Sequence, residues 1–113
     1  MNFIIGQKLV KKKEFGKALN IFLSLLSNND KDKRVYFYLG LINYELNNFK
    51  ESKFYYEKFL KGDPNSRNTL LNLAIVEQSV GNLELAKKNY LKLINLDKYK
   101  IRPYYGLLIL DIN

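Results

Sequence analysis

The sequence has no cysteine, no histidine and no tryptophan, and its 113 residues include only two prolines and six glycines. Without cysteine, the chain has neither a disulfide framework nor a thiolate nucleophile, and this usage favours a cytoplasmic location. The joint absence of histidine and cysteine excludes the common transition-metal sites. The scarcity of proline and glycine permits long, uninterrupted helices. We therefore predict no bound metal and no cofactor.

Catalytic motifs are missing as well. A hydroxyl nucleophile needs a base, and no histidine is there to serve as one. Neither G-x-x-x-x-G-K-S/T nor G-x-G-x-x-G occurs, so no phosphate-binding loop is indicated. Asp30 and Asp32 have the spacing that opens a calcium loop, but the sixth place holds no glycine and the twelfth is Leu41. We predict that the protein is not an enzyme.

Long apolar runs are also absent. The longest, Val35 to Ile42, is far shorter than the roughly 20 residues that span a bilayer. The short apolar patch from Met1 to Gly6 lacks the basic residues that precede the apolar core of a secretory signal. We expect neither a membrane span nor a leader.

Positive charge predominates, since 19 Lys and Arg stand against 11 Asp and Glu, for a net charge of +8. A basic balance is one feature of nucleic-acid-binding proteins. Segments 1–32, 33–66 and 67–100 each carry six basic side chains, against three, four and three acidic ones, so the excess is spread evenly along the sequence. This even distribution is typical of a solvated lysine surface. We do not predict a nucleic-acid partner, and a basic adaptor associated with nucleic acid is the alternative.

An internal repeat organises the chain. Similar residues recur three times, 34 positions apart and without a gap, in the columns Gly6/Gly40/Ala74, Phe15/Phe49/Leu83, Ala18/Ser52/Ala86 and Phe22/Tyr56/Tyr90. Each period contains two segments with apolar residues at helical spacing. Asn47-Asn48 and Gly81-Asn82 predict a left-handed turn and a cap for the second helix. Segment 62–65 is expected to end that helix, with Ser66 as the next N-cap.

The second period resembles the tetratricopeptide repeat, a helix–turn–helix unit of about 34 residues. Tyr36-x-x-Leu39-Gly40 stands for the family's Trp-x-x-Leu-Gly, Ser52-x-x-x-Tyr56 for its Ala-x-x-x-Phe, and Pro64 for its final proline. The departures from the family pattern are Lys13 for the turn glycine, Asp30 and Lys98 for the proline, and Asn43 and Glu77 for a bulky residue.

The resemblance implies an all-α, right-handed solenoid of helical hairpins in a single domain. Its repeats are predicted at 1–32, 33–66 and 67–100, and a capping or partial fourth-repeat helix at 101–113. The implied function is a non-catalytic scaffold or adaptor that binds an apolar helix or an extended peptide of another protein. A fragment of a longer repeat array is an alternative interpretation of the chain.

In this family the first helix of each hairpin lines the concave surface of the solenoid. Beside their core positions, the first helices here carry a second stripe that is apolar and aromatic, which suits the apolar side chains of a peptide. The residues predicted to form this groove are Phe37, Tyr38, Leu41, Tyr44, Leu71, Asn72, Ile75, Gln78, Tyr105 and Ile109. The alternative is that they pack on neighbouring first helices.

Some family members hold acidic chaperone tails with a clamp of lysine, asparagine and arginine. The corresponding positions here are Phe3, Gln7, Tyr38, Asn68 and Asn72, or, one repeat later, Phe37, Leu41, Asn72, Arg102 and Gly106. Neither set supplies clustered cations, so we do not expect this chaperone-tail function.

The final segment, 101–113, contains one Arg and one Asp as its only charged residues. Its apolar residues are spread around the whole helix, and such a helix is normally buried. Solenoids also need a polar outer face on a terminal helix. We therefore predict a homodimer through 101–113.

Overall fold

The computed structural model describes residues 2–29, 32–97 and 102–112, with the side chains of 109, 111 and 112 outside that description. Within these ranges every regular element is an α-helix, which confirms the all-α prediction. The helices are α1 (Asn2–Lys11), α2 (Phe15–Ser27), α3 (Arg34–Glu45), α4 (Phe49–Gly62), α5 (Arg67–Ser79), α6 (Leu83–Leu96) and α7 (Arg102–Ile112).

The helices pack in the order of the chain. α1 with α2, α3 with α4, and α5 with α6 form hairpins, each hairpin contacts the next, and α7 packs on α6. α3 also touches α5, so first helices lie side by side. The result is an elongated solenoid of 42 × 24 × 21 Å. Each hairpin lies within one predicted repeat, and the repeat boundaries themselves stay a prediction.

The turn inside each hairpin has the same backbone. Each of these turns has one residue with positive φ, and these residues stand 34 positions apart and are Lys13 (61°), Asn47 (64°) and Gly81 (84°). After each of them, the next backbone N–H donates to a carbonyl near the end of the first helix, in the pairs Glu14 to Leu9 (2.9 Å), Asn48 to Asn43 (2.7 Å) and Asn82 to Glu77 (2.8 Å). The left-handed turn is therefore common to all three hairpins, although only one of them uses glycine.

The predicted caps are only partly right. Ser66 caps α5, because its hydroxyl accepts from the backbone N–H of Thr69 at 3.4 Å. Asn48 and Asn82 occupy the N-cap positions of α4 and α6 but make no side-chain cap. Instead, the Asn48 amide donates to Oδ1 of Asn43 at 3.2 Å and the Asn82 amide to Oε2 of Glu77 at 2.8 Å.

This pairing explains the polar residues at two positions where the resemblance leads one to expect bulky ones. Asn43 and Glu77 are both buried, and each satisfies its side chain on the asparagine across the turn. Glu77 has a second partner, since Nζ of Lys53 lies 3.1 Å from its Oε1. The second and third hairpins are thus closed by buried polar contacts rather than by apolar packing alone.

We expect Lys53→Met to lower the free energy of unfolding by about 3 kcal/mol, because it leaves the buried Glu77 carboxylate without its cation. Lys50→Met is the matched control on the same helix, where the side chain is exposed, and should change stability by less than about 0.5 kcal/mol. Urea unfolding followed by circular dichroism measures both. Equal midpoints for the two variants would contradict a stabilising role for the ion pair.

Small residues allow the helices of a hairpin to cross closely. A Cβ atom added to Gly6 would lie 2.7 Å from the ring of Phe22, and one added to Gly40 would lie 2.5 Å from the ring of Tyr56. Opposite Gly40, the fully buried Ser52 donates its hydroxyl to the Gly40 carbonyl at 2.7 Å. The core of each hairpin is therefore an aromatic ring pressed against the backbone of the first helix.

Candidate functional site

The predicted groove residues lie on α3, α5 and α7. Those of α3 and α5 are all half-buried, and Tyr105 on α7 is 61% exposed. Ile109 falls on α7, but its side chain lies outside the described residues. The α3 and α5 parts of the stripe differ in what their side chains contact.

On α3, Tyr38 joins the first hairpin to the second. Its ring stacks on Phe22, with centroids 5.0 Å apart and planes at 5°, and meets Phe3 edge to face at 5.5 Å. The side-chain amide of Gln7 donates to the Tyr38 hydroxyl at 3.0 Å. Tyr38 therefore packs against both helices of the first hairpin, and its contacts with Phe3 and Gln7 are the kind that the alternative interpretation of the stripe describes.

Phe37 and Tyr44, the other aromatic residues of the stripe on α3, pack against α4. The ring of Phe37 lies 5.8 Å from that of Phe59 and 6.0 Å from that of Tyr56. Tyr44 lies 5.6 Å from Phe49, measured between ring centroids. The α3 side chains of the stripe pack against their neighbours, so this part of the stripe is a filled surface and not an open groove.

The residues of one repeat column lie where each hairpin contacts the next first helix, and the three contacts differ because these residues differ. Its members are Tyr38, Asn72 and Gly106, and they face the aromatic residues Phe22, Tyr56 and Tyr90 of the preceding second helices. Tyr38 stacks, whereas the Asn72 amide donates to the Tyr56 hydroxyl at 3.3 Å. At Gly106 an added Cβ would lie 2.3 Å from Cζ of Tyr90. Because the column residue has no side chain there, the Tyr90 ring lies directly against α7.

Between α5 and α7 the stripe opens into a pocket of about 270 Å³. Four predicted groove residues come together in it, namely Leu71, Ile75, Gln78 and Tyr105. The remaining lining residues are Tyr90, Arg102 and Gly106. Sequence reasoning assigned Tyr90 to the core and considered Arg102 and Gly106 only as clamp positions, so it missed these three as a set.

The polar groups of this pocket are partly fixed by one another. The Tyr90 hydroxyl donates to Oε1 of Gln78 at 2.9 Å. Burial raises the pKa of Tyr90 above its ordinary value, so the hydroxyl stays protonated and keeps donating. The Gln78 NH₂ group remains a donor for a carbonyl placed in the pocket.

A second, larger pocket of about 760 Å³ adjoins the first and shares Leu71 and Arg102 with it. Its other lining residues are mostly polar or charged and are Asp63, Asn65, Ser66, Arg67, Asn68, Leu93, Asp97 and Pro103. The two pockets form one groove along α5 and α7, with an apolar middle and an end that carries charges of both signs. We name this the α5–α7 groove.

The described ranges contain neither a cluster of metal ligands nor a membrane-spanning helix. No three His, Cys, Asp or Glu side chains there are close enough to hold a metal ion. None of the described helices is both long and apolar enough to cross a membrane.

Residues 33–66 match the family model of the tetratricopeptide repeat. The whole chain is similar in fold to several solved structures. The Yersinia enterocolitica type III secretion chaperone SycD, in complex with a peptide of the translocator YopD, gives a TM-score of 0.88 at 14% identity, over 98% of this chain and 90% of that one. MamA from Desulfovibrio magneticus RS-1 gives 0.92 at 15% identity, over 98% and 63%.

The first tetratricopeptide-repeat domain of Spaghetti (RPAP3), bound to the HSP90 peptide SRMEEVD, gives a TM-score of 0.86 at 13% identity, over 94% of this chain and 84% of that one. At such identities the likeness is one of fold. Comparison with curated protein sequences finds no match.

Proposed function

Because residues 33–66 are a tetratricopeptide repeat and the whole chain has the fold of tetratricopeptide-repeat proteins, we propose that it is a non-catalytic adaptor that binds a peptide segment of another protein in the α5–α7 groove. The observation that supports this site is the pocket that brings together Leu71, Ile75, Gln78 and Tyr105. Two of the similar structures, the SycD and RPAP3 complexes, hold peptides of other proteins. We place this adaptor in the cytoplasm, without cofactor.

The pocket chemistry favours an extended segment with one large apolar side chain. Leu71, Ile75 and the ring of Tyr105 offer apolar surface, and about 270 Å³ accommodates a side chain of leucine or phenylalanine size. The NH₂ group of Gln78 can donate to a backbone carbonyl of the segment.

A chaperone-tail clamp is not part of this proposal. Of the positions that correspond to the clamp, Asn68, Asn72 and Arg102 lie on α5 and α7, and they provide one cation. The charged end of the α5–α7 groove also holds Asp63 and Asp97, which disfavour a strongly acidic tail.

We expect Ile75→Ala combined with Tyr105→Ala to weaken binding of the partner peptide by at least about tenfold, because both anchors of the apolar side chain are removed. The partner is first identified by co-purification, and its segment is synthesised and titrated by fluorescence anisotropy. Leu83→Ala combined with Leu85→Ala is the control, since both side chains are exposed on α6 outside the groove. Equal affinities for the two double variants would place the peptide elsewhere. Tyr38 is left unchanged because its ring stacks on the core residue Phe22.

Salt dependence separates this function from a nucleic-acid adaptor. Contacts with 6–10 phosphates would lower affinity by roughly 10³–10⁵ between 50 and 200 mM salt. We expect the peptide affinity to change by less than about tenfold over that range, since the groove contacts are mainly apolar. A fall in peptide affinity as large as that expected for phosphate contacts would contradict the groove proposal.

We further propose that two copies of the chain associate through the outer face of α7. The inner face is covered by the third hairpin, because Pro103 and Gly106 are buried and Leu107 packs against the cluster around Tyr90. Leu108 on the outer face is 55% exposed. A second copy, related by a two-fold axis, would bury it against the same residue of its partner.

A further inference from the structure

The excess positive charge is evenly distributed along the sequence, but the second helices together carry more of it than the first helices. The second helices α2, α4 and α6 contain eight lysines and three glutamates, and no arginine. The first helices α1, α3, α5 and α7 contain three arginines, two lysines (both on α1) and three acidic residues, so their net charge is smaller, and α3, α5 and α7 are neutral as a group. Most of the excess charge of the hairpins therefore lies on the second helices, whereas the α5–α7 groove is lined mainly by first helices.

Large apolar side chains stand among these lysines. Phe54 on α4 is 53% exposed, and Nζ of Lys58 lies 5.4 Å from the centre of its ring. On α6, Leu91 is 44% exposed in a shallow depression that it shares with Lys87, Lys88 and Lys92, and that Glu84 and Asn95 also line. The side chains of Phe54, Lys58, Lys87, Lys88, Leu91 and Lys92 do not contribute to the hairpin cores, and we name these six together the convex lysine face.

The repeat register places both groups on the same side of the solenoid. Phe54 and Lys88 stand 34 residues apart, as do Lys58 and Lys92, so each pair occupies one column of the repeat. Equivalent columns of stacked repeats point in the same direction. The result is a basic surface with two protruding apolar side chains.

We propose that the convex lysine face binds the surface of a membrane that contains anionic lipids. Lysine ammonium groups are attracted to such a surface, and apolar side chains between them can enter the boundary between headgroups and acyl chains. A nucleic acid fits less well, because recognition of phosphates and bases favours the planar fork of arginine, which is absent from this face. Exposed apolar side chains would also stay in water on a phosphate backbone. In this arrangement the α5–α7 groove faces away from the membrane and stays open to a partner.

Vesicle sedimentation tests this proposal directly. The full chain is mixed with vesicles of phosphatidylcholine alone or with phosphatidylserine added, at about 0.1 M salt, where charges are screened beyond roughly 10 Å. We expect binding only to the vesicles that contain phosphatidylserine. Lys88→Gln combined with Lys92→Gln should weaken that binding by about twentyfold or more, at roughly fivefold per lysine.

The control removes the same charge elsewhere. Lys8→Gln combined with Lys11→Gln changes two exposed lysines of α1, a first helix, and should leave most of the vesicle binding in place. Phe54→Ser should weaken binding without altering net charge, because an inserted side chain is lost. All the substituted side chains are exposed, so the variants should keep the circular dichroism spectrum of the parent.

Several results would overturn the proposal. The absence of binding to phosphatidylserine vesicles would do so, and so would equal losses in the two lysine double variants, which would indicate a general charge effect. An unchanged affinity for Phe54→Ser would exclude insertion. Binding to duplex DNA but not to vesicles, lost in the Lys88 and Lys92 variant, would assign the face to nucleic acid instead.

Discussion

Ser52→Leu is expected to lower the free energy of unfolding by about 3 kcal/mol. The site is fully buried where α3 crosses α4, and a Cβ atom on the facing Gly40 would already lie 2.5 Å from the Tyr56 ring, so the added methyl groups have no space. Overpacking of this kind costs about 1–3 kcal/mol, and the lost hydrogen bond to the Gly40 carbonyl adds about 1 kcal/mol. Urea unfolding followed by circular dichroism at the helical bands measures the effect.

Two matched variants identify the cause of the loss. Ser52→Ala removes the hydrogen bond but adds no volume, and since Ala18 and Ala86 occupy the same column we expect it to cost only about 1 kcal/mol. Ser24→Leu makes the larger substitution at an exposed position of α2 and should change stability by less than about 0.5 kcal/mol. If Ser52→Leu unfolded at the same urea concentration as the Ser24 variant, the assigned crossing of α3 and α4 would be wrong.

The hairpins could be predicted from the sequence because one constraint recurs at each crossing. A ring at Phe22, Tyr56 or Tyr90 needs a small residue where it meets a neighbouring backbone, and this requirement repeats every 34 residues whatever the remaining positions contain. Helix ends followed from local turn chemistry to within about two residues. The predicted turn at Asn47-Asn48 lies between α3 and α4, and the segment 62–65, which was predicted to end the second helix, begins at Gly62, the last residue of α4.

The partners of individual side chains could not be predicted in the same way. Asn48 and Asn82 have the residue type of an N-cap, yet each uses its amide on Asn43 or Glu77, because those polar groups are buried five residues earlier and must be satisfied. The repeat pattern is read one column at a time, so it does not reveal that two side chains from different columns form a hydrogen bond across the turn. The sequence also did not predict that most of the excess positive charge lies on the second helices. First and second helices alternate along the chain, so the charge is evenly distributed in the sequence.

The α5–α7 groove shows a similar limit. Its four predicted members come from three columns of the stripe, and helical spacing was enough to group them. Whether the stripe is filled or open depends on the neighbouring residue of another column, where the Tyr38 ring fills the space beside α3, whereas Gly106 contributes no side chain to the space beside α7. That contrast became visible only when Phe22 and Tyr90 could be placed opposite these residues.

The protein is expected to be a dimer at concentrations on the order of tens of micromolar, and Leu108→Lys is expected to make it a monomer. Leu108 stands in the column of Gly6, Gly40 and Ala74. In the first two hairpins, the glycine at this position receives the aromatic ring of the hairpin's own second helix. A leucine there would clash with a ring in that geometry, so a second helix that carried an aromatic residue at this position would not pack on α7 as α2 and α4 pack on α1 and α3.

A second copy meets no such obstacle, because two leucines can face each other across a two-fold axis. Leu108 is 55% exposed, so covering the rest of each side chain contributes about 1–1.5 kcal/mol, and the symmetry counts every substitution twice. Leu108→Lys should therefore raise the dissociation constant by at least about 30-fold, with repulsion between the paired ammonium groups adding to the loss. Light scattering after size exclusion reports the mass of each variant directly.

Leu85→Lys, at a similarly exposed leucine on α6, is the control and should leave the dimer intact. A monomeric parent chain at these concentrations would refute the dimer, and a Leu108→Lys variant that stayed dimeric would move the interface away from α7.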